Sequence, residues 1–232
     1  MNPTLTMLLH GDAGAGKSWL AGTAPLPLLI LDSEGRSRYI PGGPKILWDP
    51  RTEDPPVYDG TWTICIVNVT DFDVIGRTYQ WLQSGRHSFR SVDIDSLMEA
   101  QKKYIDQLVG LRALEMQDWG SVLRHLESMV RHYRDLVLEP TNTIDCVVVV
   151  VGTTVGENGR HEPLLQGALR KTIPYFMDTV GYLYVSHTPD GGLQRNLLVQ
   201  PTPTIVAKDG TGQLGGPVIA DPNITQLYER LV

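Results

Sequence analysis

The residues Gly11-Asp12-Ala13-Gly14-Ala15-Gly16-Lys17-Ser18 fill the pattern G-x-x-x-x-G-K-[ST]. In that pattern the glycines let the backbone bend so that successive N–H groups point inward at phosphate oxygens. The lysine reaches the β- and γ-phosphates and the hydroxyl meets Mg²⁺. An apolar run, Leu5 to Leu9, precedes the motif, and Ser18-Trp19-Leu20-Ala21 can open a helix behind it. Strand, loop and helix fall in the order the motif requires. This predicts a site for a nucleoside triphosphate, with Lys17 on its phosphates and Ser18 on the metal.

Phosphoryl transfer also needs a metal-holding carboxylate and a group that orients the attacking water or hydroxyl. Asp95 follows the Phe89 to Ile94 run and precedes Ser96-Leu97, so it is expected to reach the Mg²⁺ shell from the strand beside the phosphate loop. Asp93, two residues back on the same face, is the other candidate for that shell, but it is out of character with an apolar strand and is expected to be a capping or surface aspartate. Asp32-Ser33-Glu34-Gly35 closes the run Leu28-Leu29-Ile30-Leu31. That places Glu34 where a carboxylate can polarise a water near the γ-phosphate. Glu99, one helical turn beyond Asp95, is a rival for the role but is expected to face solvent.

These groups must be carried by strands and helices in alternation. Leu5 to His10, Leu28 to Asp32, Thr63 to Val69, Phe89 to Asp95, Cys146 to Val151 and Val180 to Val185 read as strands of a mostly parallel sheet, with helical patterns between most of them. Pro25 and Pro27 stop the first helix soon after Leu20. Asp71 can cap a helix running to about Ser84, and Ser96 to about Leu114 and Asp118 to about Leu138 are the longest helical patterns. Val122, Leu126, Met129, Tyr133 and Leu136 recur at helical spacing and predict a core-facing stripe. The run Cys146 to Val151 has no polar alternation, so it predicts a central strand buried on both faces.

Two segments read as loops. Pro41 to Gly60 is rich in proline, glycine and acidic residues and is expected to cover the surface. Gly156 to Lys171, straight after the central strand, holds Arg160, His161, Arg170 and Lys171 between glycines. It reads as a mobile surface loop, or as a functional one because ligands of such sheets sit beyond the strand C-termini.

The chain has 232 residues, 41% of them hydrophobic and 20% charged, with no apolar run near the ~20 residues of a membrane span. The start Met1-Asn2-Pro3-Thr4 has no basic region leading into an apolar signal segment. A soluble, cytoplasmic protein of one domain over residues 1–232 is expected. Cys65 and Cys146 lie in apolar runs and read as buried reduced thiols. The net charge of -6 argues against a basic coat for duplex DNA and leaves room for a local patch that holds a single strand.

Taken in order, Gly11 to Ser18, Asp32-Ser33-Glu34, Asp95-Ser96-Leu97 and Val147 to Thr154 are similar to the RecA-like recombinase core, an α/β P-loop NTPase fold with a mostly parallel central sheet flanked by helices. The chain most resembles the short phage-encoded single-strand annealing ATPases, with further matches at Gly167 to Leu183 and Val206 to Gly212. The resemblance implies ATP and Mg²⁺ held by Gly11, Asp12, Ala13, Gly14, Ala15, Gly16, Lys17 and Ser18, with Asp95 as the second metal-shell carboxylate and Glu34 activating water. It further implies that Thr153 or Thr154 senses the γ-phosphate and passes its state to the loop of Arg160, His161, Arg170 and Lys171, which would bind DNA. Lys208 would reach the triphosphate of a neighbouring subunit. The implied partners are single-stranded DNA, further copies of the chain in a ring or filament, and a single-strand-binding protein, with no membrane.

The chain departs from the family pattern in Gly210, where a second cation is common, in a threonine sensor in place of an amide, and in the polarity of the Asp95 strand. A P-loop kinase is one alternative and would need an arginine-rich lid, which only the Arg160 to Lys171 loop could supply. A nucleotide-binding recombination mediator without turnover is the other. Tyr175 and Phe176 offer rings for base stacking, with Phe176 expected in the core.

Overall fold

Runs of Leu, Ile and Val without polar alternation build the middle of one sheet, because strands covered on both faces need apolar side chains on both. The computed structural model describes residues 3–232, so Met1 and Asn2 of the N-terminal segment lie outside the described residues. The strands are β1 (Leu5–Gly11), β2 (Leu28–Asp32), β3 (Lys45–Leu47), β4 (Ile64–Asn68), β5 (Ser91–Asp95), β6 (Cys146–Val155), β7 (His161–Pro163), β8 (Thr179–His187), β9 (Leu193–Leu198), β10 (Lys208–Asp209) and β11 (Val218–Ala220). The helices are α1 (Lys17–Ala21), α2 (Phe72–Gln83), α3 (Leu97–Val109), α4 (Met116–Asp135), α5 (Leu169–Phe176) and α6 (Ile224–Glu229).

The sheet runs β3-β4-β2-β5-β6-β1-β8-β9-β11. The strands from β3 through β8 in that order are parallel, and β9 and β11 close the other edge antiparallel. This is the mostly parallel α/β sheet that the sequence implies, but the place of the Asp95 strand differs. β6 lies between β1 and β5, so Asp95 acts across an intervening strand and not from the strand beside the phosphate loop.

Alternate residues of each central strand feed two cores. Leu29, Leu31, Val92, Ile94, Val147 and Val149 pack under α2, α3, α4 and α5, with the α4 stripe of Val122, Leu126, Met129 and Tyr133 buried against them. Leu28, Ile30, Cys146, Val148 and Val150 face the other way, toward α1 and α6. Asp71 caps α2 by accepting the Val74 N–H at 3.2 Å, as expected from its position before the helical pattern. Both cysteines are free and buried.

Several expectations are corrected. β3 lies inside the proline-rich Pro41 to Gly60 segment, and β5 begins only at Ser91. β6 continues past Val151 to Val155, then turns and pairs with β7 through Val155↔His161, Thr154↔Glu162 and Thr153↔Pro163. The Gly156 to Lys171 segment is therefore a hairpin leading into α5, anchored by buried Leu165 and Leu169, and not a free loop.

Asp93 is neither a cap nor a surface residue. It is fully buried between Ile30 and Val148, and neither carboxyl oxygen has a hydrogen-bond partner among the described residues. Burial pushes its pKa well above the ordinary carboxylate value, reinforced by Asp95 and Asp32. The folded chain thus keeps a proton that the unfolded chain releases above about pH 4. The stabilising share of that proton is present at low pH and is lost as pH rises toward the folded pKa, at about 1.4 kcal/mol per pH unit. Asp93→Asn should therefore gain stability relative to the parent as pH rises from 5 to 8 in urea titrations. An equal difference at both pH values would contradict a buried neutral acid.

Candidate functional site

The phosphate loop connects β1 to α1. Gly14 and Gly16 sit at φ +81° and +97°, a left-handed backbone that L side chains rarely adopt, so this turn selects glycine at both positions. A Cβ on Gly16 would also come within 2.6 Å of the Arg195 guanidinium Nε. The loop is drawn tight by Ala15 N–H donating to the Asp12 carbonyl at 3.2 Å. Lys17 Nζ donates to the carbonyls of Gly11 (2.9 Å) and Asp12 (2.8 Å), which holds its charge over the loop. Burial lowers its pKa, and the carboxylates of Asp95, Asp12 and Glu34 oppose that shift.

A cavity of about 530 Å³ opens above the loop, lined by Gly11 to Gly14, Gly16, Lys17, Ser18, Glu34, Asp95, Ser96 and Thr153, with Trp19, Arg36, Met98 and Leu164 at its walls. Ala15, expected among the binding residues, is buried beneath it, and Thr154 does not line it. Sequence reasoning missed Ser96 and Asp32. The Asp32 carboxylate accepts the N–H groups of Glu34 (3.1 Å), Gly35 (2.7 Å), Arg36 (3.3 Å) and Ser37 (2.8 Å), which fixes the turn that presents Glu34. Ser33 N–H donates to the Asp95 carbonyl at 2.7 Å, and Ser96 Oγ donates to Glu34 Oε1 at 2.7 Å. An Asp followed by Gly two or three residues on is the local signal for such a side-chain-capped turn. Glu99, the rival carboxylate, pairs with Lys102 at 3.0 Å and does not line the cavity.

Asp95 is buried beside Ser18, Glu34 and Asp32. Burial raises its pKa to about 6, with the Ser18 hydroxyl lowering it and the two neighbouring carboxylates raising it further. The donor set fits a magnesium nucleotide: one hydroxyl and one carboxylate suit a hard cation that takes its remaining ligands from phosphate and water. The backbone cradle and Lys17 suit the phosphates themselves.

A second cavity of about 380 Å³ lies on the other side of the hairpin, where Arg160, Arg170, Lys171 and Lys208 face a single carboxylate, Glu162. Arg170 Nη1 lies 3.7 Å from Glu162 Oε1, Arg160 Nη2 donates to the Ile205 carbonyl at 3.3 Å, and Lys208 Nζ donates to the Met177 carbonyl at 2.6 Å. Tyr175 stands at its rim, 81% exposed. His161 does not line this cavity and packs against Tyr182 with ring centroids 5.6 Å apart. Phe176 is partly buried against the core, under the Arg131 guanidinium at 4.4 Å.

A family model described as an AAA domain matches residues 4–211. The chain belongs to this AAA domain family. It is accordingly a P-loop ATPase domain, and its mostly parallel α/β sheet is similar to those of RecA-like ATPases. Among solved structures, the ATPase from the type III secretion system of pathogenic bacteria is similar at 12% identity and a TM-score of 0.50, covering 78% of this chain and 52% of that one. This AAA domain thus spans about half the length of that protein. A second solved structure, also of an ATPase domain, is similar at 12% identity and a TM-score of 0.49, covering 95% of this chain and 81% of that one. A comparison with curated proteins finds no match. Among the described residues no helix is long and apolar enough to cross a membrane.

Because a divalent cation binds the ionised carboxylate, nucleotide affinity that depends on Asp95 should weaken as pH falls through about 6. Calorimetry with Mg²⁺ and ATPγS should show up to about tenfold loss per pH unit below that point. In Asp95→Asn the affinity should be weak at every pH and nearly flat across the range. The same steep fall in Asp95→Asn would assign the proton to another group.

Proposed function

We propose that this AAA domain is an ATP-dependent protein that binds and anneals single-stranded DNA, of the phage type, working in the cytoplasm as an oligomer of one-domain subunits. The observation that carries the reading is the adjacency of two cavities on one strand. β6 lines the nucleotide cavity at Val150 to Thr153, and the hairpin it enters carries Arg160 and Glu162 into the basic cavity. A strand rigid enough to be shared by both sites can link triphosphate occupancy to the shape of a polyanion site.

In this reading Lys17 and the loop N–H groups hold the phosphates, Ser18 and Asp95 hold Mg²⁺, and Thr153 contacts the γ-phosphate. Glu34, fixed by Asp32 and Ser96, orients the attacking water and takes its proton. Mg²⁺ would supply charge neutralisation at the phosphate oxygens. In the second cavity Arg160, Arg170, Lys171 and Lys208 would meet backbone phosphates while Tyr175 stacks on a base. A lysine already hydrogen-bonded in that cavity supports Lys208 as a DNA contact as much as a reach toward a neighbouring subunit's triphosphate. A kinase lid would have to close over the phosphates, and the Arg160 to Lys171 hairpin, named above as its one source, carries Arg160, Arg170 and Lys171 into the other cavity.

The test replaces Arg170 and Lys171 together by alanine. Single-strand affinity should drop, and the slope of its logarithm against the logarithm of salt should shrink by roughly one unit or more. Affinity for ATPγS alone should hold. Unchanged single-strand binding across the salt series would remove this cavity as the DNA site.

A further inference from the structure

His10 sits on β1 immediately before the phosphate loop and is fully buried. Its two ring nitrogens are both engaged: Nε2 lies 2.7 Å from the Val206 carbonyl and Nδ1 lies 2.6 Å from Thr153 Oγ1. A carbonyl can only accept, so Nε2 carries the proton and donates it. Nδ1 of that neutral tautomer is then an acceptor, and the Thr153 hydroxyl must donate to it. Burial, which lowers the His10 pKa to about 4, agrees with a neutral ring.

A hydroxyl has one proton to give. Thr153 lines the nucleotide cavity, while Val206 lines the basic one. Val206 is in turn stitched to the hairpin: its N–H donates to the His161 carbonyl at 2.9 Å, and His161 N–H donates to the Thr204 carbonyl at 2.7 Å. A phosphate oxygen that takes the Thr153 proton must take it from His10.

We infer that His10 is a positioning residue that competes with the γ-phosphate for the single hydroxyl proton of Thr153, and thereby relays triphosphate occupancy to the Thr204–Lys208 segment of the basic cavity. The inference rests on Thr153 as the γ-phosphate contact. With the γ-phosphate absent, the imidazole is held at both ends and clamps Val206. With it present, the ring keeps only the Val206 bond, so it no longer ties the segment to Thr153 and the two can move apart. This route is separate from the covalent one along β6 and its hairpin, and it ends on the segment that carries Lys208.

The test compares ADP with ATPγS, both with Mg²⁺, in the full chain by calorimetry and by hydrogen exchange. In the parent, amides of residues 204–208 should exchange faster with ATPγS than with ADP. In His10→Phe, which preserves the ring against Tyr182, that difference should vanish. The ATPγS-to-ADP affinity ratio should rise there by about threefold to tenfold, because Thr153 no longer has to break a hydrogen bond. Thr153→Val should lower the ratio and also erase the exchange difference. His10→Gln, which keeps a donor and an acceptor, should stay near the parent. If Thr153→Val leaves the ratio unchanged, the γ-phosphate contact is wrong and the relay falls with it. If Thr153→Val lowers the ratio while His10→Phe matches the parent, the relay alone is wrong. Should His10→Phe fail to fold, His10→Leu takes its place: loss of the exchange difference at 204–208 with ATPγS binding kept upholds the relay, and a parent-like difference overturns it.

Discussion

The register of the parallel strands decides where chemistry can happen in this protein. Asp32 pairs with Asp95, Asp95 with Val150, His10 with Val151 and Gly11 with Gly152, so the C-terminal ends of β2, β5 and β1 lie nearly level with Val150 to Gly152 of the longer β6 along one edge. Each strand presents a different group there: the Glu34 turn, the Asp95 carboxylate, the Thr153 hydroxyl and the phosphate loop. A slip of one residue in any strand would turn its group toward the opposite face. Long unbroken apolar runs pin this register by burying both faces, which is why a chain with so polar an active edge has so uniform a centre.

Asp93 shows the limit of that rule. It occupies a position that the sheet would fill with Ile or Val, and among the described residues it has no hydrogen-bond partner to repay its desolvation. Its proton is the simplest way to accommodate it, and the neighbouring carboxylates of Asp95 and Asp32 work in the same direction. The same burial acts on Asp95 more weakly, because Asp95 stands at the strand end beside Ser18 and Lys17, where a cation can compensate it. One face of one strand thus holds two acids whose pKa values are both raised by burial, with a compensating hydroxyl and lysine beside only the one at the strand end.

Much of this was legible in the residues. The phosphate loop, the two carboxylate-bearing strand ends, the Asp71 cap and the α4 stripe all follow from local chemistry and spacing, which depend on few neighbours. Pairing order did not follow, since nothing local in β6 states that it inserts between β1 and β5. The hairpin after β6 was hidden because glycines and charges read as a free loop, whereas pairing with Thr153 to Val155 and the burial of Leu165 and Leu169 order it. The Asp32 turn and the His10 bridge were missed for a shared reason. Their partners are backbone groups or residues far along the chain, and Val206 lies 196 positions from His10.

In the proposed function, a triphosphate site worked by Glu34 and a single-strand site share β6. Steady-state ATP hydrolysis by the parent and by Glu34→Gln, each with and without an oligothymidylate, tests it most directly. The account predicts that the oligonucleotide raises hydrolysis in the parent. It also predicts that Glu34→Gln lowers turnover by ~10² or more with and without DNA while retaining ATPγS binding. Hydrolysis indifferent to DNA, or undiminished in Glu34→Gln, would contradict it.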